Sequence, residues 1–350
     1  MQTLSRWRDR AVVTTQAHPE VRVIADAVGL GLAAAFALVA IAVGRRTETD
    51  ALPFVQLVAA VVATVVAAAV FGARTHRAIV PLAVAAGFTW FAYRWRLDQV
   101  TGPLDGPFGY RNASGAFLAV AACAWLTAGV ALRRPWWIVL CAVPAAIASI
   151  AAVRDAFGAA AVVLAWFALV GLAGRRASRA AIVGCGVALS AVLFATLLLG
   201  AAYDPAQGPT GVTSALVRAG LTERRPALWH DAWVAMQAEP AGAGAGAFSS
   251  VSPMAQADAD AIHAHNEFLE RGAELGVAGL VLIVLLFGWA FVRLWLVPHP
   301  DGVQALAAAS VAVVGVHGCV DYILHTPVIL LGAAALLGTG LVPHREEIWK

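Results

Sequence analysis

Residues 52–72 read LPFVQLVAAVVATVVAAAVFG, an unbroken stretch without a charged side chain. A helix needs about 20 apolar residues to cross a hydrocarbon layer of about 30 Å, so this run predicts a membrane span. Nine more runs of the same order surround it, at 23–43, 77–93, 113–132, 136–153, 156–173, 180–201, 274–296, 303–321 and 325–342. The chain as a whole is 61% hydrophobic and 13% charged, with a mean hydropathy of +0.77. A soluble domain carries roughly 25% charged residues. The expected fold class is therefore all-α: a polytopic integral membrane protein of about ten transmembrane helices with one large extracytoplasmic loop containing short amphipathic helices.

Composition also excludes other classes. The net charge of +3 comes from arginines placed between apolar runs, which is orientation code rather than a nucleic-acid surface. Cys123, Cys141, Cys185 and Cys319 each fall inside an apolar run without metal-type spacing and read as small buried hydrophobes. The first 21 residues are polar and basic, without the apolar core and small-residue cleavage site of a signal peptide. No internal repeat of the kind found in alternating-access transporters is visible.

Counting Lys and Arg at the ends of the runs sets the expected orientation. With the N-terminus in the cytoplasm, fourteen fall on the inner side, from Arg6 to Lys350, against six on short outer loops: Arg45, Arg46, Arg94, Arg96, Arg111 and Arg154. The expected organisation is a cytoplasmic segment 1–22, seven spans over 23–201, an outer loop 202–272 carrying the site, three spans over 273–343 and a cytoplasmic tail 344–350. Tryptophans at 90, 95, 136, 137, 229, 233, 289 and 295 read mostly as interfacial anchors.

The chemistry is expected in the outer loop. From Thr222 to Ala238 the sequence predicts a helix on which Arg225, Trp229, Trp233 and Met236 share one stripe, suited to lying on the bilayer surface. Arg224 and Arg225 either hold lipid headgroups or a neighbouring acid, or clamp a diphosphate, whose oxygens match the paired donors of a guanidinium. The run Pro240 to Phe248 has glycine at alternate positions and lacks both nucleotide-binding fingerprints; it reads as a tight turn or as a close backbone approach to substrate. Asp258, Asp260, His263, His265, Asn266 and Glu267 form the densest polar cluster. A general base is a more economical reading of it than a metal site, because imidazole titrates nearest neutrality. A helix starting near His265 would align it with Leu269, Gly272, Gly276 and Gly279, a small-residue face for close helix packing. Glu267 and Arg271 read as an ordinary helical ion pair. Near the outer end of the ninth run, His317 and Asp321 lie four apart, and an ionisable pair at membrane depth is a functional candidate. Arg94, Arg96, Arg111 and Asn112 are placed to line the same outward cavity.

His265-Asn266, nine residues, then Gly276-Val-Ala-Gly279 resembles the His-Asn-x9-Gly-x-x-Gly pattern of the O-antigen ligase and polymerase family of bacterial membrane glycosyltransferases. Arg225-x3-Trp229, the Pro240–Phe248 glycine run, Gly106 to Asn112 and His317-x3-Asp321 with Pro327 accompany it. The resemblance implies transfer of a glycan from an undecaprenyl-diphosphate carrier to a lipid or glycan acceptor hydroxyl at the outer face of the plasma (inner) membrane, with no cofactor, metal or nucleic acid. It implies His265 as the catalytic histidine and Arg225 as the catalytic, phosphate-binding arginine, with Arg224 a close rival; Arg224, Arg111, Asn266, His263, Asp321 and His317 are the residues expected to bind substrate beside them. The expected reaction is a single inverting displacement. Alternatives are a polymerase of the same family, a flippase or transporter of lipid-linked glycan, and a non-catalytic scaffold.

Overall fold

The computed structural model describes residues 19–95, 111–152, 156–218, 222–258 and 260–343; the side chains of 111, 156–160 and 216–218 fall outside that description. Arg6, Arg8, Arg10, Arg96, Arg154, Arg345, Lys350, Gly106–Tyr110 and the Arg111 side chain therefore lie outside the described residues.

All regular structure among the described residues is helical. The membrane region comprises α1 (Pro19–Thr47), α2 (Leu52–Arg74), α3 (Ile79–Trp95), α4 (Arg111–Ala131), α5 (Pro135–Ala152), α6 (Ala156–Phe167, running into a 3-10 segment Ala168–Ala173) and α7 (Arg175–Ala202). The large loop holds α8 (Gly211–Arg218), α9 (Arg224–Ala238), α10 (Phe248–Val251) and α11 (Pro253–Ala257). The chain then returns through α12 (Glu267–Trp295), α13 (Gly302–Gly318), a 3-10 turn Ile323–His325 and α14 (Pro327–Gly340). Each of the ten apolar runs is helical. Six helices are long and apolar enough to cross a membrane by length and composition, namely α1, α2, α4, α5, α7 and α12, whereas α13 and α14 are apolar but shorter. Together these segments make the chain a multi-pass membrane protein.

Residue size decides which helices go inside. α4, rich in Ala, Gly, Ser and Cys, is buried almost throughout, and α13 is buried on nearly every face. Small side chains let neighbouring backbones approach closely, which is what drives association where lipid competes for every apolar contact. A Cβ on Gly129 would stand 3.0 Å from Cys141 of α5, and Phe88 of α3 stacks on Phe117 of α4 at 4.1 Å. The outer helices divide by face. On α5, Cys141, Ala145, Ser149 and Ala152 turn inward while Val139, Val143, Ile147 and Ile150 are exposed, as expected for a surface solvated by hydrocarbon rather than water. All four cysteines are buried and unpaired, as read from the sequence.

Polar contacts sort the helix ends into two layers. On the loop side, Arg46 donates to the Gly242 carbonyl, the Ala245 amide donates to Thr49 Oγ1 (2.9 Å), and Asn112 reaches Asp321. On the opposite side, Asp301 receives Arg77 at 2.9 Å and Arg133 at 3.5 Å, joining the α2–α3, α4–α5 and α12–α13 turns.

Two elements depart from the expected local structure. α9 does not lie on a surface with its stripe turned to lipid: Arg225, Trp229 and Met236 are buried against α7 and α12, and the Trp229 indole donates to the His265 carbonyl at 3.0 Å. The loop's own apolar cluster, including Leu228, Trp229, Phe248 and Leu269, outcompetes the interface for that face. Trp229 is thus a core residue, while Trp90, Trp95, Trp136 and Trp295 stay exposed as anchors would.

The second departure is in α12, which starts at Glu267 rather than at His265 and is interrupted at Gly276 (φ 74°). There the glycine run crosses the helix. The amides of Ala243 and Gly244 donate to the carbonyls of Ala273 and Glu274 (3.0 and 2.9 Å), and the Val277 amide donates to the Pro240 carbonyl (3.0 Å). Groups orphaned by the break are thereby satisfied by another segment, as buried backbone requires. Gly242, Gly244 and Gly246 all have positive φ (94°, 134° and 71°), which explains the alternation of glycine. The close approach is to α12, whose Gly276 Cβ would stand 2.2 Å from the Pro240 oxygen.

Candidate functional site

The site is built on the turn between α11 and α12. Asn266 caps α12: its Oδ1 accepts from the amides of Phe268 (3.1 Å) and Leu269 (3.0 Å). Its Nδ2 donates to Thr196 Oγ1 (3.0 Å) on α7 and to the Cys319 carbonyl (2.7 Å) after α13. The side chain is buried, and its polar atoms are used within the fold. With Asn266 fixed in this way, His265 is held just outside the helix in a left-handed conformation (φ 50°), a backbone uncommon for a non-glycine residue.

The centre of the site is Asp321, in the turn after α13. Its fully buried carboxylate takes His265 Nδ1 (3.2 Å) on one oxygen and, on the other, Arg225 from α9 (3.0 Å) together with Asn112 from the start of α4. The Tyr322 amide adds a bond at 2.8 Å. Burial alone would raise this carboxyl, but the hydrogen bond from His265 and the charge of Arg225 overcome it and hold it down at about 2. Four elements far apart in sequence thus meet on one ionised group. His317, expected as the partner of Asp321, is buried one turn earlier, and its nearness adds only a smaller contribution to the same electrostatics.

The two adjacent arginines diverge. Arg225 is buried and joins Asp321, whereas Arg224 is exposed and pairs with Asp258 at 2.7 Å. Successive helical residues point about 100° apart, so only one of them can face the cluster.

A second network adjoins the first. Glu267, Glu270 and Glu274 converge on Arg271 at 3.4, 3.3 and 2.6 Å. Glu270 also holds His263 Nδ1 (3.1 Å), the Ala264 amide (2.8 Å) and His325 Nε2 (2.9 Å). The anticipated single Glu267–Arg271 pair is therefore one edge of a buried cluster, which also packs Arg271 over the Phe54 ring at 4.4 Å. Burial works to lower the His325 pKa, but the Glu267 and Glu270 carboxylates outweigh it and raise it above 6.5. His325 Nε2 thus stands between the Glu270 carboxylate and the Arg271 guanidinium. Tyr322 bridges the two networks, stacked on His263 at 4.5 Å and edge-on to His265 at 4.9 Å.

His263, Glu270 and His325 offer ligand atoms within 4.8 Å of one another, a spacing compatible with a metal ion. Arg271 already lies 2.8 Å from His325 Nε2 and 3.3 Å from Glu270 Oε1. Its guanidinium supplies the positive charge at that point, and a divalent cation would face direct repulsion from it.

From this network a cavity of about 820 Å³ runs along the helices toward the opposite face. Its walls are apolar side chains of α1, α2, α12 and α14, including Phe36, Leu57, Val61, Ile283 and Leu337; Arg271 and His325 stand at the loop-side end, Asp26 and Arg293 at the other.

Glu270, Arg271, Tyr322 and His325 were not read as site residues from sequence. A usable signal was the number of ionisable residues between Glu267 and Glu274, at the start of a span where such groups are costly.

No curated protein and no solved structure matches the chain. Residues 143–284, from within α5 through the large loop to the part of α12 beyond its kink, match the family model described as O-antigen ligase. That stretch, about two fifths of the chain, holds His265, Arg225 and the glycine run but not Asn112 or Asp321, and over it the chain is similar to the O-antigen ligase family.

Proposed function

We propose that this protein transfers a glycan from an undecaprenyl-diphosphate carrier to an acceptor hydroxyl at the outer face of the plasma membrane, with its N-terminus in the cytoplasm. The observation that carries the reading is the shared carboxylate of Asp321, which engages His265 and Arg225 together. With Nδ1–H donating to Asp321, Nε2 of His265 is the nitrogen with a lone pair, the tautomer a general base requires.

A lipid diphosphate is already an activated leaving group. Catalysis then needs positive charge where the diphosphate departs and a base that orients the attacking hydroxyl. Arg225 and, at the mouth of the apolar cavity, Arg271 suit the first task, and His265 the second. Arg111 and the exposed Arg224 are assigned to recruiting the anionic donor, His263 and His317 to shaping the site, and Asn266 to holding His265 in place. The apolar cavity supports a donor with a long hydrocarbon tail. The displacement is a single inverting step without a metal.

The test is glycan transfer from purified undecaprenyl-diphosphate donor in nanodiscs with EDTA present, comparing wild type, His265→Ala and Arg225→Ala. Activity that both folded variants lose supports the reading; activity that survives both substitutions overturns it. A product lengthened on the lipid carrier would identify a polymerase, and donor movement across the bilayer without transfer a flippase.

A further inference from the structure

A row of aromatic rings leads from the cation at the cavity mouth to the base of the proposed reaction. Arg271 lies 2.8 Å from His325 Nε2. The ring centroids of His325 and His263 are 4.2 Å apart, those of His263 and Tyr322 4.5 Å, and those of Tyr322 and His265 4.9 Å. We propose that His263, Tyr322 and His325 form the subsite for the first sugar of the donor, the one bonded to the diphosphate. The assignment rests on the lipid-diphosphate reading above and adds to it the place of the sugar.

Position is the first argument. In a displacement at the anomeric carbon, that carbon is bonded to the departing diphosphate oxygen and is approached from the other side by the acceptor hydroxyl. With the diphosphate beside Arg271 and the hydroxyl at His265, the sugar ring has to lie between them. His263, Tyr322 and His325 occupy that interval.

Hydrogen-bonding chemistry is the second. Glu270 engages His263 through Nδ1 (3.1 Å) and His325 through Nε2 (2.9 Å). The two nitrogens of an imidazole diverge, so His263 Nε2 and His325 Nδ1 point away from the shared carboxylate. Neither of these two nitrogens has a partner among the described residues, and both side chains are part-exposed, His263 by 23% and His325 by 34%. One buried acid thus presents two outward imidazole nitrogens, a pattern suited to a ligand rich in hydroxyls. The displacement itself uses neither of them.

Tyr322 supplies the third. Its amide donates to Asp321 (2.8 Å), which fixes the ring in the same turn that orients His265. Burial and the neighbouring Asp321 carboxylate push its phenol up to about 12, so the ring is neutral at physiological pH. A pyranose has apolar C–H faces and a rim of hydroxyls; a neutral aromatic ring beside imidazole nitrogens complements both.

The test presents the full-length protein in nanodiscs, without acceptor, with an equal mixture of undecaprenyl diphosphate and undecaprenyl diphosphate bearing a single N-acetylglucosamine. Native mass spectrometry reads the ratio of the two ligands bound. His263→Ala and, independently, Tyr322→Leu should each lower the ratio of sugar-bearing to plain ligand by about three- to tenfold relative to wild type, the worth of one ordinary hydrogen bond or ring contact. Both variants should still retain undecaprenyl diphosphate. Tyr322→Leu decides the matter if His263→Ala, which also takes a partner from Glu270, does not fold. A ratio unchanged in the folded variants would overturn the subsite and leave the lipid-diphosphate reading in place. An unchanged ratio together with a raised KM for acceptor would move the rings to the acceptor and overturn the donor assignment. Wild-type protein that retains neither ligand would overturn the lipid-diphosphate reading and the subsite with it.

Discussion

The imidazole Nδ1 of His265 lies 3.2 Å from a carboxylate oxygen of Asp321, fifty-six residues away in sequence. The other oxygen of that carboxylate holds Arg225, so a single buried acid sets the position of both the base and the cation of the proposed reaction.

Replacing His265 by Ala should lower transfer by about 10²–10⁴-fold, the usual contribution of a positioned general base, with little change in folding. Asp321→Asn should lower activity by a comparable factor through loss of the orienting acceptor. It should also destabilise the protein by about 3–5 kcal/mol, because the buried guanidinium of Arg225 loses the carboxylate that it pairs with. Transfer assays paired with thermal unfolding of the same preparations check both; an Asp321→Asn protein with full activity would remove Asp321 from the mechanism.

The two neighbouring arginines should behave differently. Arg224→Ala breaks an exposed pair with Asp258 and should cost no more than about 1 kcal/mol. Arg225→Ala removes a buried partner of Asp321 and should abolish activity and reduce stability together. Equal effects of the two substitutions in unfolding and transfer measurements would contradict the assigned roles.

Acid should weaken the Asp321 contribution. Its folded value, about 2, is below the ordinary 3.8, so the stabilisation is complete above 3.8 and disappears as the pH falls toward 2. The difference in melting temperature between wild type and Asp321→Asn should stay constant above about pH 4 and shrink below it.

His325 has the opposite sign. Its pKa is raised above 6.5 in the folded protein, so its contribution is complete below 6.5 and is lost as the pH rises through the raised value. Melting curves of wild type and His325→Gln should therefore converge on the alkaline side; a gap that widens there would show that His325 is neutral when folded.

At the crossing of the glycine run and α12, substitutions should be graded by space. Gly276→Ala and Gly242→Ala place a Cβ 2.2 and 2.5 Å from backbone oxygens and should prevent recovery of folded protein on size-exclusion chromatography. Gly246→Ala meets no atom within 4 Å and should cost only the left-handed backbone penalty, about 1–2 kcal/mol.

The sequence by itself determined the helical membrane class, because each apolar run must close its own backbone hydrogen bonds in lipid and announces this by length and composition. It also brought His265, Asn112 and Asp321 forward as candidates with the Arg224–Arg225 pair, and preferred Arg225 to Arg224 only through the family resemblance. Only the tertiary structure decided which of these meet. His317 and Asp321 are one helical turn apart, yet the carboxylate bonds to His265, Arg225 and Asn112, whose separations from it carry no periodicity. The same holds for α9, whose Trp and Met stripe signals an apolar face without saying whether lipid or protein covers it, and for Gly276, where the break in α12 is dictated by a segment more than thirty residues earlier. Local spacing specifies helices and their faces; the choice of partner rests on competition among long-range contacts, which becomes visible only when the helices are packed.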